Sequence, residues 1–487
     1  TARAAAGRIP ARVLGTRPPP PARPPPCAPP LSTPGEAARW LEAERANLHA
    51  VAGYAAERGH HEDAAQIAAA VSGFLFTRGY WDQIIAMQRT ALAAARRAGD
   101  RAAQAAALIQ LCWVQLLTGD TPAAAASQRQ ALALYRDMDD RRGQGDAWHR
   151  LSLLRYMAND CSASAAAARQ ALDLYREAGD RIGQGDALNQ LGFAQVQAGD
   201  YPAAAVSAQQ ALDLFGDLGD QLGQGVAVEI LGYTQLETGR YPAAAASFQQ
   251  ALQLYREVGD RWGEGALLVA LGDVRRLTGD YAYATASYQQ VLKNFRDIGE
   301  RGVVATALNE LGTLQRIAGD YPAAAGSHQQ ALQLFDEVDD QDGRANVLSN
   351  LGVLHATTGD YPAAAASLRQ ALELFRDLGR RQGQAKTLNN LGELLTRSSA
   401  SHQARDHHAQ ALAIARDLGV PLEEARALEG IGNSHLCDGS PGQATAPLRQ
   451  ALAIYQRIGA PAARQVQKTI QNHRLTSTLE APASGSQ

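Results

Sequence analysis

The chain has 487 residues with 46 basic and 49 acidic side chains, a formal net charge of -3; so even a balance offers no basic face for a phosphate backbone. Its four cysteines, Cys27, Cys112, Cys161 and Cys437, form no Cys-x-x-Cys pair and no disulfide-like spacing, which points to a reducing, cytoplasmic setting. No run of about 18 apolar residues occurs, so no membrane helix is expected, and the charged opening Thr1–Gly7 lacks the apolar segment of a signal peptide.

In chain order, residues 1–35 read as a Pro-rich linker, since residues 10–34 hold 11 of the 21 prolines. Residues 36–100 read as N-terminal helices and a degenerate first repeat. An amphipathic helix is expected over 36–58, with Trp40, Leu41, Leu48 and Val51 on one side. Ala91-Leu92 and Gly99-Asp100 then enter the register of everything that follows.

Residues 101–460 are organised by one period. Leu-Gly recurs at 191–192, 231–232, 271–272, 311–312, 351–352 and 391–392, continued by Ile431-Gly432, at a constant step with no insertion or deletion. Ala-Leu recurs in the same step, and one turn after the Leu stands an aromatic: Tyr135, Tyr175, Phe215, Tyr255, Phe295, Phe335, Phe375 and Tyr455, with Ala415 the exception. Each unit predicts two helices. In 181–220, Asp180 caps the first, Gly199 ends it in a left-handed turn, and Asp200 with Pro202 opens the second. Small residues such as Gly192 and Ala204 are expected where the two helices cross, with Leu212 and Phe215 filling the seam to the next unit. One unit cannot bury this face alone; stacked neighbours can. The turns Asn159-Asp160-Cys161 and Ser399-Ala400-Ser401 depart from the pattern, so local bending is expected there. Residues 461–475 read as a capping helix and 476–487 as a disordered tail.

These columns resemble the tetratricopeptide repeat (TPR), whose family pattern Leu191, Gly192, Gly199, Tyr201, Ala204 and Ala211 match in place, although the family's usual period is shorter. The resemblance implies an all-α, right-handed superhelical α-solenoid of about nine to ten TPR-like hairpins. It also implies that first helices line a concave groove for a protein or peptide ligand. On those helices stand Asn189, Phe193, Tyr233, Arg276, Asn309, Arg316, Asn350, Asn389, Asn390 and Glu393, the candidate binding residues. An amide can donate to and accept from a peptide backbone at once. Such asparagines can equally bond only the neighbouring helix, and the sequence leaves both readings open.

The run Ala38 to Leu48, together with Arg78-Gly79-Tyr80-Trp81-Asp82 and Thr90 to Arg96, is similar to the segment joining nucleotide-binding and TPR halves in actinobacterial NB-ARC (STAND) regulators of the Streptomyces antibiotic regulatory protein type. That resemblance implies a sensor arm in a signalling or transcriptional regulator, with an upstream ATPase domain of the same native chain as partner. A stand-alone TPR adaptor is the alternative.

No catalytic, cofactor or metal site assembles. Gly-Gln-Gly at 143–145, 183–185 and 223–225 lacks the third glycine and the preceding strand of a dinucleotide loop, and no Gly-x-x-x-x-Gly-Lys-Ser/Thr phosphate loop exists. His402, His407 and His408 lack a ligand's i, i+4 spacing with an acidic or thiol partner and read as a solvated helix face.

Overall fold

The computed structural model describes residues 34–77, 80–118, 120–158, 160–295 and 301–473. The linker of 1–35, apart from its last two residues, and the tail of 476–487 lie outside them, as do Arg78, Gly79 and Asn159. The described residues form helices α1 (Pro34–Glu57), α2 (His61–Thr77), α3 (Trp81–Ala98), α4 (Arg101–Leu117), α5 (Thr121–Asp137), α6 (Arg141–Met157), α7 (Cys161–Glu177), α8 (Arg181–Ala198), α9 (Tyr201–Leu218), α10 (Gln221–Glu237) and α11 (Tyr241–Val258). They continue with α12 (Arg261–Leu277), α13 (Tyr281–Phe295), α14 (Arg301–Ala318), α15 (Tyr321–Glu337), α16 (Gln341–Thr358), α17 (Tyr361–Asp377), α18 (Arg381–Arg397), α19 (Ser401–Leu418), α20 (Pro421–Cys437), α21 (Pro441–Ile458) and α22 (Ala462–Asn472). From α4 to α21 the even-numbered helices open each hairpin and the odd-numbered ones close it. The chain is an all-α stack of helical hairpins.

The punctuation of the repeat sets these ends. Asp160, Asp180, Asp320, Asp340 and Asp360 each accept a hydrogen bond from a backbone N–H in the first turn of the helix that follows, at 2.9–3.1 Å, which satisfies one of its orphan donors. The left-handed exits are mostly glycine, but Ser399 takes the same conformation at φ 63°. At the atypical turns, Asp160 still caps α7, and Ser399 takes the left-handed place of the glycine.

The structure divides into two compact units. Unit 1 holds the described residues up to Ala194 with Gln210–Gly223 and Val258–Asp260; unit 2 holds Gln195–Gln209, Gln224–Glu257 and the described residues from Arg261. In unit 1, α1 buries Ala37, Leu41 and Ala52 against a core that includes Phe74, Leu75, Ile84, Met87 and Leu108. Val51, expected on this face, is 50% exposed, because the helical stripe passes from Leu48 to Ala52 instead.

The Gly-x-Gly elements have a packing cause that their own sequence does not reveal. A methyl on Gly145 would sit 2.8 Å, and one on Gly183 2.5 Å, from the Tyr175 ring; Gly185 and Gly223 hold the Phe215 ring in the same way, at 2.4 and 2.5 Å. Tyr175 and Phe215 are thus wedges between the opening helices of their own and the following repeat.

In unit 2 the hairpin crossings are equally tight. The glycine of Leu-Gly faces a fixed position of the closing helix: Gly232 meets Phe248, Gly272 meets Tyr288, Gly312 meets His328, Gly352 meets Leu368 and Gly392 meets His408. Gly352 and Gly432 also lie close to the backbone oxygens of Ala364 and Ala444. Gly312→Leu is therefore expected to cost about 1–3 kcal/mol by overpacking, read as a lower urea midpoint with unchanged slope; an unaltered midpoint would refute the placement of Gly312.

Early and late helices of unit 2 also meet, in step with the repeat. Methyls on Gly199 and Gly239 would sit 2.6 and 2.7 Å from Leu418 and Ile458, residues themselves one repeat apart, and Gly239 and Gly279 similarly face Pro421 and Pro461. Tyr201, Leu418 and Val420 form an apolar cluster at this contact. The Tyr201 hydroxyl donates to Gln382 at 3.2 Å, and the Gln382 amide donates to Glu237. Burial raises the Glu237 carboxyl to about 7, against the opposing effect of the Gln382 bond.

Candidate functional site

The opening helices carry two polar columns that differ in depth. Ninth positions of the repeat are buried: Asn189 and Glu229 are 5% exposed, Asn309 3%, and Ser349 and Asn389 not at all. Their partners belong to the wall. Asn189 donates from Nδ2 to the Gly223 carbonyl at 3.1 Å. Asn389 makes the same bond to Glu423 at 3.1 Å and a second to the Glu423 carboxylate at 2.9 Å. Glu229 accepts from the Tyr255 hydroxyl, and Glu429 from Tyr455 at 2.8 Å. Asn189 and Asn389 thus behave as the neighbour-bonding reading describes. The reason is rotational: the ninth position points at the closing helix and the next repeat.

The histidines belong to the same wall. His328 Nδ1 lies 3.0 Å from Asn309 Oδ1 and His408 Nδ1 lies 3.1 Å from Asn389 Oδ1. Asn309 and Asn389 direct their N–H groups elsewhere, so each histidine donates from Nδ1. Nε2 of both rings is buried without a hydrogen-bond partner. A proton there would place a charge in an apolar crossing, and burial lowers both imidazoles to about 4. The expectation of a solvated histidine face fails at His408, which is fully buried against Gly392 and Gly430. Its place in the repeat is that of Tyr288 and Leu368, the crossing residue.

The half-buried column is charged, and it runs along unit 2. On α12, Arg276 lies 3.4 Å from Asp273 and 3.2 Å from Glu310 on α14. Asp273 also accepts from the Tyr288 hydroxyl at 2.8 Å; burial lifts its carboxyl to about 6, with Glu310 adding to the rise and Arg276 opposing it. On α20, Arg426 reaches back to Glu393 at 2.8 Å and to Asn390 Oδ1 at 2.6 Å, and also pairs with Glu423. Burial works against the Glu393 charge, but the Arg426 guanidinium outweighs it and holds the carboxyl below its usual range. Amides link the helices between: Asn350 donates to Asn309 Oδ1, and Asn390 to Ser349 Oγ, both at 3.1 Å.

Of the ten candidate residues, Tyr233, Arg276, Asn309, Arg316, Asn350, Asn389, Asn390 and Glu393 fall in unit 2, whereas Asn189 and Phe193 fall in unit 1. Tyr233 is half-buried, edge-on to Phe248 with centroids 5.1 Å apart, and Phe193 packs on Tyr156 at 6.2 Å. Sequence reading placed Glu310 in the groove column but missed Lys386, Glu423 and Arg426. The signal was available as charge at the third and sixth positions of the repeat, which share a helical face with the tenth. Among the described residues no group of three or more His, Cys, Asp or Glu is placed to hold a metal, and no helix is long and apolar enough to cross a membrane.

The described structure is therefore a helical-hairpin repeat protein with a charged and amide-lined face on its opening helices. Its sequence matches the tetratricopeptide repeat over residues 226–297, 303–377 and 383–457, so the chain carries TPR repeats. No curated protein matches it. Among solved structures it is similar to a Rap protein complexed with competence and sporulation factor, with a TM-score of 0.59 and 12% identity over 73% of this chain and 98% of that one. It is also similar to the Rap conjugation gene regulator of plasmid pLS20 in complex with the Phr* peptide, with a TM-score of 0.52 and 10% identity over 70% and 94%. At these identities the likeness establishes the fold.

Proposed function

We propose that the charged face of the opening helices in unit 2 binds a peptide, making the chain a cytoplasmic, non-catalytic TPR scaffold. The observation that carries this reading is the charged cluster of Arg276 and Glu310 at one end and Glu393 and Arg426 at the other, joined through the buried Asn309, Asn350, Ser349 and Asn390. Mixed charges beside amides suit a peptide, which presents donors, acceptors and side chains of either sign. The two Rap structures, solved with competence and sporulation factor and with the Phr* peptide, support the same use of this architecture. Of the candidate asparagines, Asn309 bonds Glu310 and Asn390 bonds Arg426, both charged members of this cluster. The test is retention of a random pentapeptide pool by the full chain, read by mass spectrometry. A defined subset should be retained; a retained fraction with the composition of the input would remove the reading.

The biological setting we propose is the sensor arm of an NB-ARC (STAND) regulator, supported by the run Ala38 to Leu48 on α1. A stand-alone adaptor is the other reading. Sequencing the genomic DNA upstream of the Thr1 codon distinguishes them: a continuous frame encoding a phosphate-loop ATPase supports the arm, and a start codon near Thr1 supports the adaptor.

A further inference from the structure

The contact between early and late helices of unit 2 is written into the repeat as two departures from it. From Asp100-Arg101 to Arg380-Arg381, every junction between a closing helix and the next opening helix carries a charged residue followed by Arg or Gln. Only the last two junctions turn apolar, as Val420-Pro421 and Ala460-Pro461. These are the junctions that press on earlier turns. Leu418 meets Gly199, Ile458 and Pro421 meet Gly239, and Pro461 meets Gly279, while Leu418 and Val420 cluster with Tyr201. The turns beneath them open on a column of tyrosines, Tyr201, Tyr241, Tyr281, Tyr321 and Tyr361, where the two preceding repeats have Thr121 and Cys161. Tyr201 and Tyr241 are 2% and 1% exposed, whereas Tyr281, Tyr321 and Tyr361 are 41%, 37% and 39% exposed. Val420 and Ala460 are buried in the same contact. A charged cap in either place would be costly to bury, and proline is tolerated where a helix begins.

A polar chain lies beside this apolar seat. The Tyr201 hydroxyl donates to Gln382 at 3.2 Å, and the Gln382 amide donates to Glu237. Facing Glu237 are Gln382 and Lys386 on α18, Glu423 on α20 and Asp273 on α12. Tyr201 on α9 and Tyr241 on α11 feel its charge, and Tyr241 also feels Glu423 and Arg276. Burial raises the Glu237 carboxyl to about 7; the Gln382 bond opposes the rise, Glu423 and Asp273 add to it, and Lys386 opposes it.

We propose that the Val420-Pro421 and Ala460-Pro461 junctions are a releasable clasp, seated on the Tyr201 and Tyr241 turns and locked by the Tyr201–Gln382–Glu237 chain. Neutral Glu237 suits the closed contact, and ionised Glu237 gains by returning to water. The sign follows from a carboxyl that stands at about 7 when closed and at its ordinary 4.5 when open. Its contribution to closure is complete below pH 4.5 and is lost as pH rises through 7. The ratio of closed to open clasp therefore falls roughly tenfold between pH 6 and pH 8. Asp273 and Glu423 also pair with Arg276 and Arg426, so ionisation at the clasp acts on the charged cluster as well.

The test is nitration of the full chain by tetranitromethane, read residue by residue by mass spectrometry. Tyr321 and Tyr361, at the same helical position and exposed, serve as internal references. At pH 6, Tyr201 and Tyr241 should react about tenfold or more slower than the references, and this lag should shrink by about tenfold at pH 8. Glu237→Gln mimics the neutral carboxyl and should keep the pH 6 lag at pH 8. Val420→Asp with Pro421→Arg restores the ordinary capping junction of the repeat. It should bring Tyr201 to within about twofold of the references at both pH values, with helical circular dichroism unchanged. If that double variant does not fold, the wild type and Glu237→Gln decide. Tyr201 and Tyr241 reacting as fast as the references at pH 6 would overturn the clasp. So would a wild-type lag independent of pH, a pH-dependent loss of the lag that Glu237→Gln leaves intact, or a lag that persists in the folded double variant.

Discussion

Between pH 7 and pH 5, His408→Phe is expected to gain about 2 kcal/mol of stability relative to the wild type. The His408 imidazole is fully buried and burial lowers it from 6.5 to about 4. The unfolded chain therefore takes up the proton first as pH falls. The contribution of the neutral ring is fully present above pH 6.5 and is lost progressively between pH 6.5 and pH 4. Phenylalanine has no such loss, and Phe248 already occupies the equivalent crossing against Gly232. The substitution strips Asn389 Oδ1 of its donor, which costs about 1–3 kcal/mol at every pH and leaves the pH dependence of the difference intact. Glu237 and Asp273, whose carboxyls burial raises to about 7 and about 6, act in the opposite direction. They are present in both proteins and cancel in the comparison. Urea unfolding of both proteins at the two pH values provides the measurement; a stability difference that stays constant would show that His408 is protonated in the fold at an ordinary pKa.

What the sequence made legible follows the range of the interactions that write it. Helix ends are local: Asp180 bonds Gly183 and Gly199 turns left-handed within a few residues, so the hairpin was visible from the Gly-Asp step alone. Face depth is not local. Asn309 and Asn350 look equivalent in a sequence, yet the first bonds His328 across its own hairpin and the second bonds Asn309 on the preceding opening helix. An asparagine that bonds its neighbour repeats as faithfully as one that bonds a ligand, so recurrence alone could not separate the readings. The pairing of Gly392 with His408 across the hairpin was equally hidden, and it turned an expected solvated histidine into a core one. One non-local signal was present in plain view. The repeat whose aromatic is missing, at Ala415, is followed by Glu423 where its neighbours carry glycine. There a ring and a glycine are lost together, although Val303 stands at the same place after Phe295 with the ring kept.

That shared volume yields the prediction with the largest expected effect. Phe215→Ala in unit 1 should cost about 3–5 kcal/mol, because it removes a fully buried ring from between two helices and leaves a cavity. Gly223→Leu should also destabilise, since even its Cβ would meet the ring at 2.5 Å, a clash worth about 1–3 kcal/mol or more. If the ring and the glycine share one space, the double variant should be more stable than the sum of the single losses predicts, by about 0.5–3 kcal/mol, the range found for residues in direct contact. The leucine then occupies volume that the ring has vacated, much as Glu423 stands beside Ala415. Gly185, on the other side of the ring at 2.4 Å, keeps the rescue partial, because the leucine enters from one side only. Full additivity in urea unfolding would mean that Phe215 and Gly223 are energetically independent, and the wedge between successive opening helices would lose its support.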